Sequence, residues 1–135
     1  MANKTYLLDT HCVIWFQENN PKIPKHVVEL IQNPDNKVLF SQVSLFEIAI
    51  KQKIGKLPDF ASSVNDIYNQ AIKDDFTFLP VFNSHLYSYQ KVPLKLNHRD
   101  PFDRLITATA LEENAVILTV DKNFELYRDI VSIEW

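Results

Sequence analysis

The chain has 135 residues, 46% hydrophobic and 23% charged, enough for one compact core and too few for a separate substrate-binding domain. Fourteen basic against seventeen acidic residues give a net charge of −3, which argues against charge-driven binding of bulk nucleic acid but leaves room for an acidic site offset by cations. A lone cysteine, Cys12 in CVIWF, excludes an intrachain disulfide and a multi-cysteine zinc site, and reads as a buried thiol.

The opening MANKTYLLDTHCVIWF is broken by Asp9 and His11 and has no small-residue cleavage site, so no signal peptide is expected. No run approaches the roughly 18 apolar residues of a membrane span, and a cytoplasmic protein is the expectation. A short strand over 6–8 runs into Asp9, and a helix follows from 13–16. A helix over 25–31 is entered through Pro24 and left at Asn33 and Pro34. A second strand spans 38–40. Ser41 or Ser44 then caps a helix running toward Ile54, with Gly55 marking its end.

Residues 63–73 place Val64, Ile67, Tyr68, Ala71 and Ile72 at helical spacing, and 76–81 form a third extended run. A short helix covers 84–90, before a polar loop over 93–101. Residues 102–113 are strongly periodic, with Phe102, Leu105, Ile106, Thr109 and Ala110 on one face. A fourth strand at 116–119 and a fifth at 130–133 complete the pattern. Apolar strands alternating with helices predict one α/β domain over 1–135, its mostly parallel sheet covered on both sides.

In such a sheet ligands bind beyond the carboxyl ends of the strands. Asp9 follows YLL and Asp121 follows VILTV, so both fall there. Asp103 lies near a helix start, where free amides favour a negative side chain, and Asp100 precedes it by three positions across Pro101. Glu47 interrupts SLFEIAI, and a carboxylate buried there needs a polar cavity, a metal, or an ion pair such as Lys51 one turn later. Four such acids in one crevice would repel without protons or cations, and an all-oxygen donor set suits magnesium or manganese.

LLDTHCVIW, SLFEIAIK, HRDPFDRLITATA and VILTVD, in this order across almost the whole chain, resemble the PIN-domain family, and within it the VapC-like ribonuclease toxins of bacterial toxin-antitoxin pairs. The resemblance implies a three-layer α/β/α domain with a central, mostly parallel sheet and an acidic active site. Asp9 then matches the first acid, Glu47 the acid of the helix after the second strand, Asp103 that of DRLITA, and Asp121 that after the TV strand end. Asp100 is an additional acid in the DPFD form of the motif. The implied reaction is hydrolysis of RNA with one or two Mg2+ or Mn2+ ions held by Asp9, Asp103 and Asp121, with Glu47 and Asp100 as further candidate ligands. A cognate antitoxin that blocks the cleft and a homodimer are implied as well.

Thr10, Ser44 and Thr119 are candidates to support the acids by hydrogen bonding. Arg99, Arg104 and Lys122 adjoin the acidic motifs as candidate phosphate contacts, with surface charge balance as the competing reading. Lys51, Lys53 and Lys56 form another basic group, either on RNA or on a solvated helix face. His11 and His98 lack an orienting partner and are expected in structural or solvent-facing roles. Tyr87 and Tyr89, beside His85, could stack on bases, but packing is the expectation. Trp15, Phe16 and the 25–31 helix serve equally as core or interface.

A magnesium-dependent phosphatase or phosphoryl-accepting domain competes, since Asp9 follows a strand, but it lacks a second acid two positions on. Gly55 is the only glycine, which excludes a phosphate-cradling glycine loop. The non-enzyme alternative is an inactive PIN-like module that binds RNA or protein. Presence of all four principal acids disfavours it, and single-stranded or looped RNA is the expected substrate.

Overall fold

The computed structural model describes residues 4–95 and 100–135. In chain order the elements are β1 (Thr5–Leu8), α1 (Thr10–Glu18), α2 (Lys25–Gln32), β2 (Lys37–Ser41), α3 (Gln42–Lys53), α4 (Val64–Lys73), β3 (Thr77–Leu79), α5 (Asn83–Tyr89), α6 (Pro101–Glu113), β4 (Val116–Leu118), a 3-10 helix (Lys122–Tyr127) and β5 (Ile133–Glu134). The helix starts have local causes. Asp9 caps α1, Ser41 rather than Ser44 caps α3, Ser63 caps α4, and Asp100 caps α6 with Pro101 in its first turn. Gly55 follows α3 with φ +76°, a conformation that glycine adopts without a Cβ clash.

The five strands form one sheet in the order β3-β2-β1-β4-β5, and every neighbouring pair is parallel. The chain moves outward from β1 to β2 and β3, then returns through α6 to β4 on the other side of β1. The strand order therefore reverses between β1 and β4, which is where a crevice opens in such sheets.

The pleat of β1 divides the core. Tyr6 and Leu8 face a cluster with Val13, Val27, Phe40, Ile48 and Ile67, whereas Leu7 faces one with Leu39, Val43, Ile106, Ile117 and Tyr127. Helices α1, α2 and α4 thus cover one face, and α6 with the 3-10 helix covers the other, giving three layers. Cys12 is fully buried, as its apolar setting predicts. Among the described residues, no helix is long and apolar enough to cross a membrane.

Three local expectations change. The fifth strand, expected over 130–133, starts at Ile133, because the amides of Ile130 and Val131 bond back to the Tyr127 carbonyl and close the turn after the 3-10 helix. The extended run expected over 76–81 narrows to the three paired residues of β3. Helix α1 also begins at Thr10, immediately after Asp9, which puts that acid at a helix N-terminus as well as at a strand end.

Candidate active site

The site starts from the pairing of β1 with β4. The Asp9 amide donates to the Leu118 carbonyl at 3.2 Å, extending that pairing past the end of β1. Asp9 is 5% exposed, and its Oδ1 accepts the Cys12 amide at 2.7 Å while its Oδ2 accepts a short hydrogen bond from the Thr119 hydroxyl. Thr119 Oγ1 in turn accepts the Asp121 amide at 3.0 Å. One hydroxyl thereby ties both strand-end acids together. Asp121 also caps the 3-10 helix, accepting the Asn123 amide at 2.9 Å.

Helix α3 brings Glu47 from the opposite wall, buried at 7% exposure. The Thr10 hydroxyl donates to Glu47 Oε1 at 2.6 Å and lies 3.1 Å from Ser44 Oγ, while Lys51 Nζ sits 2.9 Å from Glu47 Oε2. The ion pair expected one turn along the helix is therefore present, and it lies inside the candidate site. From the third direction comes α6. Asp100 Oδ1 accepts the amides of Phe102 and Asp103 at 2.8 and 3.2 Å, and Asp103 occupies the first turn, where the helix dipole favours an anion.

Asp9, Glu47, Asp100, Asp103 and Asp121 line a common cleft of about 70 Å³ with Thr10, His11, Lys51 and Ile106. Among the described residues, five acids thus face one lysine. Burial pushes the Asp9 carboxyl up to about 6; the hydrogen bonds from Thr119 and Cys12 resist this, and the charges of Asp121 and Glu47 add to it. Burial, with Lys51 nearby, lowers the His11 imidazole, and burial raises the Cys12 thiol well above its ordinary value. Cys12 is thus an inert packing residue.

The donor set is all oxygen and its charge is unbalanced, which fits a hard divalent cation in chemical type. Among the described residues, however, no three His, Cys, Asp or Glu side chains stand in a ready metal-holding arrangement. Asp9 and Glu47 each have both carboxylate oxygens turned to partners within the chain.

Arg104 departs from its expected place. It is 8% exposed, donates to the Tyr89 hydroxyl at 3.1 Å and the Val92 carbonyl at 2.8 Å, and lies over the Tyr89 ring, so it packs α6 on α5 instead of facing phosphate. Lys122, Lys53 and Lys56 are exposed but do not line the cleft. Arg99 and His98 lie outside the described residues. Tyr89 packs, as expected, and Tyr87 is exposed. Trp15 and Phe16 are partly buried against the core. His11, expected to be structural or solvent-facing, is exposed and also lines the cleft. Ile106 forms an apolar wall there that its place in a periodic helix face gave no reason to single out.

Residues 6–130 match the PIN domain family. The fold is similar to that of VapBC2 from Rickettsia felis bound to a DNA fragment from their promoter (TM-score 0.70, 17% identity, covering 96% of this chain and 97% of that one). It is also similar to DNA-bound VapBC from Salmonella typhimurium (TM-score 0.65, 18% identity, 97% of each chain) and to VapBC-1 from nontypeable Haemophilus influenzae (TM-score 0.64, 22% identity, 96% of each chain). No curated protein sequence matches the chain. Such identities establish a common fold, whereas the family match spans nearly the whole sequence and contains Asp9, Glu47, Asp103 and Asp121. The chain belongs to the PIN-domain family.

Proposed function

We propose that this protein is a metal-dependent endoribonuclease acting as the toxin of a toxin-antitoxin pair. The observation that carries this reading is the cleft at the β1/β4 reversal, where, among the described residues, five acids face a single lysine in a chain of this family. Asp9, Asp103 and Asp121 would hold one or two Mg2+ or Mn2+ ions, with Glu47 and Asp100 as further candidates. When bound, such an ion supplies Lewis acidity toward water and phosphate.

The chain's own groups have separable roles in this reading. Thr119 orients Asp9 and Asp121 together, and its hydrogen bond favours the ionised form of Asp9. Glu47 fixes the Thr10 hydroxyl and the Lys51 ammonium, and Ser44 supports Thr10. Lys51, already at the cleft, contacts the RNA phosphate; Lys122, which is exposed, is a further backbone contact, and the sequence adds Arg99. A phosphoryl-accepting role for Asp9 is disfavoured, because His11 and not a second acid stands two positions on.

The solved relatives are described as VapBC complexes, two of the three with DNA. By analogy, the partner of this chain is a cognate antitoxin that covers the cleft, the protein is a cytoplasmic homodimer, and residues 1–135 act as one nuclease domain.

The test is cleavage of matched RNA and DNA by antitoxin-free protein in EDTA, Mg2+ or Mn2+, with folded Asp9→Asn and Asp103→Asn variants alongside. RNA cleavage that needs the metal and disappears in both variants is the expected result. A folded protein that binds Mn2+ yet cuts no RNA would replace this reading with a non-catalytic module.

A further inference from the structure

The outward side of α1 carries an aromatic contact that the carboxylates do not explain. His11 is exposed at the rim of the cleft, which Lys51 also lines, while its neighbours Thr10 and Cys12 are buried. One helical turn later stands Trp15, its ring centroid 5.9 Å from that of His11 with the planes tilted by 50°. Trp15 is backed by Trp135 at 6.1 Å, and the Lys22 ammonium lies 5.3 Å from its ring centroid.

Neighbouring rings are tilted by 50° and 59° and the Lys22 ammonium lies over Trp15, so polarisable ring surface and positive charge stand side by side along α1. This combination suits one kind of ligand: an unstacked nucleobase can lie on the rings while its adjoining phosphates meet the ammonium groups. A base inside a duplex has both faces covered by its neighbours and cannot use such a surface.

We infer that His11 and Trp15 form a shelf that stacks a nucleobase of single-stranded RNA next to the phosphate held in the cleft. The placement of that phosphate rests on the nuclease reading; the shelf itself rests on the ring geometry. Trp135 is a positioning residue that backs Trp15, and the site prefers unpaired to paired RNA.

The chain has two tryptophans, so Trp135→Phe leaves Trp15 as the sole indole emitter, and because Trp135 backs Trp15, binding of the same oligonucleotide to the wild-type chain is measured beside it by anisotropy of labelled RNA. That protein is titrated in EDTA with a short single-stranded RNA oligonucleotide and with the same sequence as a duplex, and the single-stranded titration is repeated with His11→Ala and His11→Phe added. The expected result is quenching of Trp15 by the single strand, about tenfold weaker binding in His11→Ala, and recovery of most of that loss in His11→Phe. Binding with unchanged emission and no effect of His11→Ala would overturn the shelf, as would equal quenching by the duplex. Cleavage of the same oligonucleotide by the wild-type chain in Mn2+ separates the two ideas. Cleavage without quenching removes the shelf alone, whereas quenching without cleavage removes the nuclease and leaves an RNA-binding surface.

Discussion

The two ends of α6 carry the same chemistry and put it to opposite uses. At the C-terminal end, where the helix dipole disfavours anions, Glu112 accepts the Ser88 hydroxyl at 2.8 Å and Glu113 meets His85 Nε2 at 2.9 Å. His85 is fully buried, and because its Nδ1 accepts the Phe82 amide, its Nε2 carries the proton donated to Glu113. These acids have dedicated donors and join α6 to α5. At the N-terminal end Asp100 and Asp103 face a cleft where acids outnumber cations. Acid count does not distinguish structure from chemistry, but convergence of acids from separate elements on one cleft does.

The sharpest way to break that contrast is to remove one charge at each end. Asp103→Asn is expected to reduce metal-dependent RNA cleavage by about 100-fold or more, while Glu112→Gln stays within a few-fold of wild type, as read by initial rates in Mn2+. Equal losses would mean that the two ends are not functionally distinct.

The next effect concerns stability. Asp9 titrates near 6 in the folded chain, above its ordinary value of 3.8, so the folded state holds this proton more tightly than the unfolded state does. With more protons bound when folded, the contribution of Asp9 is most favourable below the unfolded value. It is lost as pH rises toward 6 and is flat above, a swing of about 3 kcal/mol. Denaturant unfolding in EDTA should accordingly find Asp9→Asn more stable than wild type at pH 7, by about 2 kcal/mol, with the difference shrinking toward pH 4. A destabilised Asp9→Asn would show that the carboxylate is a structural group, like those at the other end of α6.

Smaller still is the cost of breaking the far contact. His85→Ala removes a buried ring bonded through both nitrogens and should cost about 2 kcal/mol in unfolding free energy without abolishing cleavage. The mildest change is Lys51→Gln, expected to lower the salt dependence of RNA binding by about one phosphate contact. No change in that slope would confine Lys51 to its ion pair with Glu47.

Much of this was legible in the sequence because strand ends and caps are local signals. Asp9 and Asp121 follow apolar strands, and Glu47 breaks an apolar helix with a lysine one turn away, so their meeting needed only the parallel topology. Arg104 was not legible in this way. It is adjacent to Asp103, but successive residues on a helix are turned by about 100°, so one faces the cleft and the other faces α5. The edge strand and the 3-10 helix were similarly obscure, since Ile130 and Val131 are apolar and turn-forming at once. Their amides choose the Tyr127 carbonyl because the chain has just left a tight helix, a preference that composition does not record.

The bond from Thr119 to Asp9 closes 110 residues of sequence. The central strand is therefore made early and completed late, when β4 reaches its side across an intervening run of six helices and two strands. Long-range parallel pairing of this kind is slow to form, because loop entropy is spent before the contact rewards it. During synthesis, a chain that has passed α6 but not Thr119 possesses four of the five acids without the hydroxyl that organises them. Assembly of the cleft is thus tied to translation of the last strands, and a partly made chain has no organised site to act with.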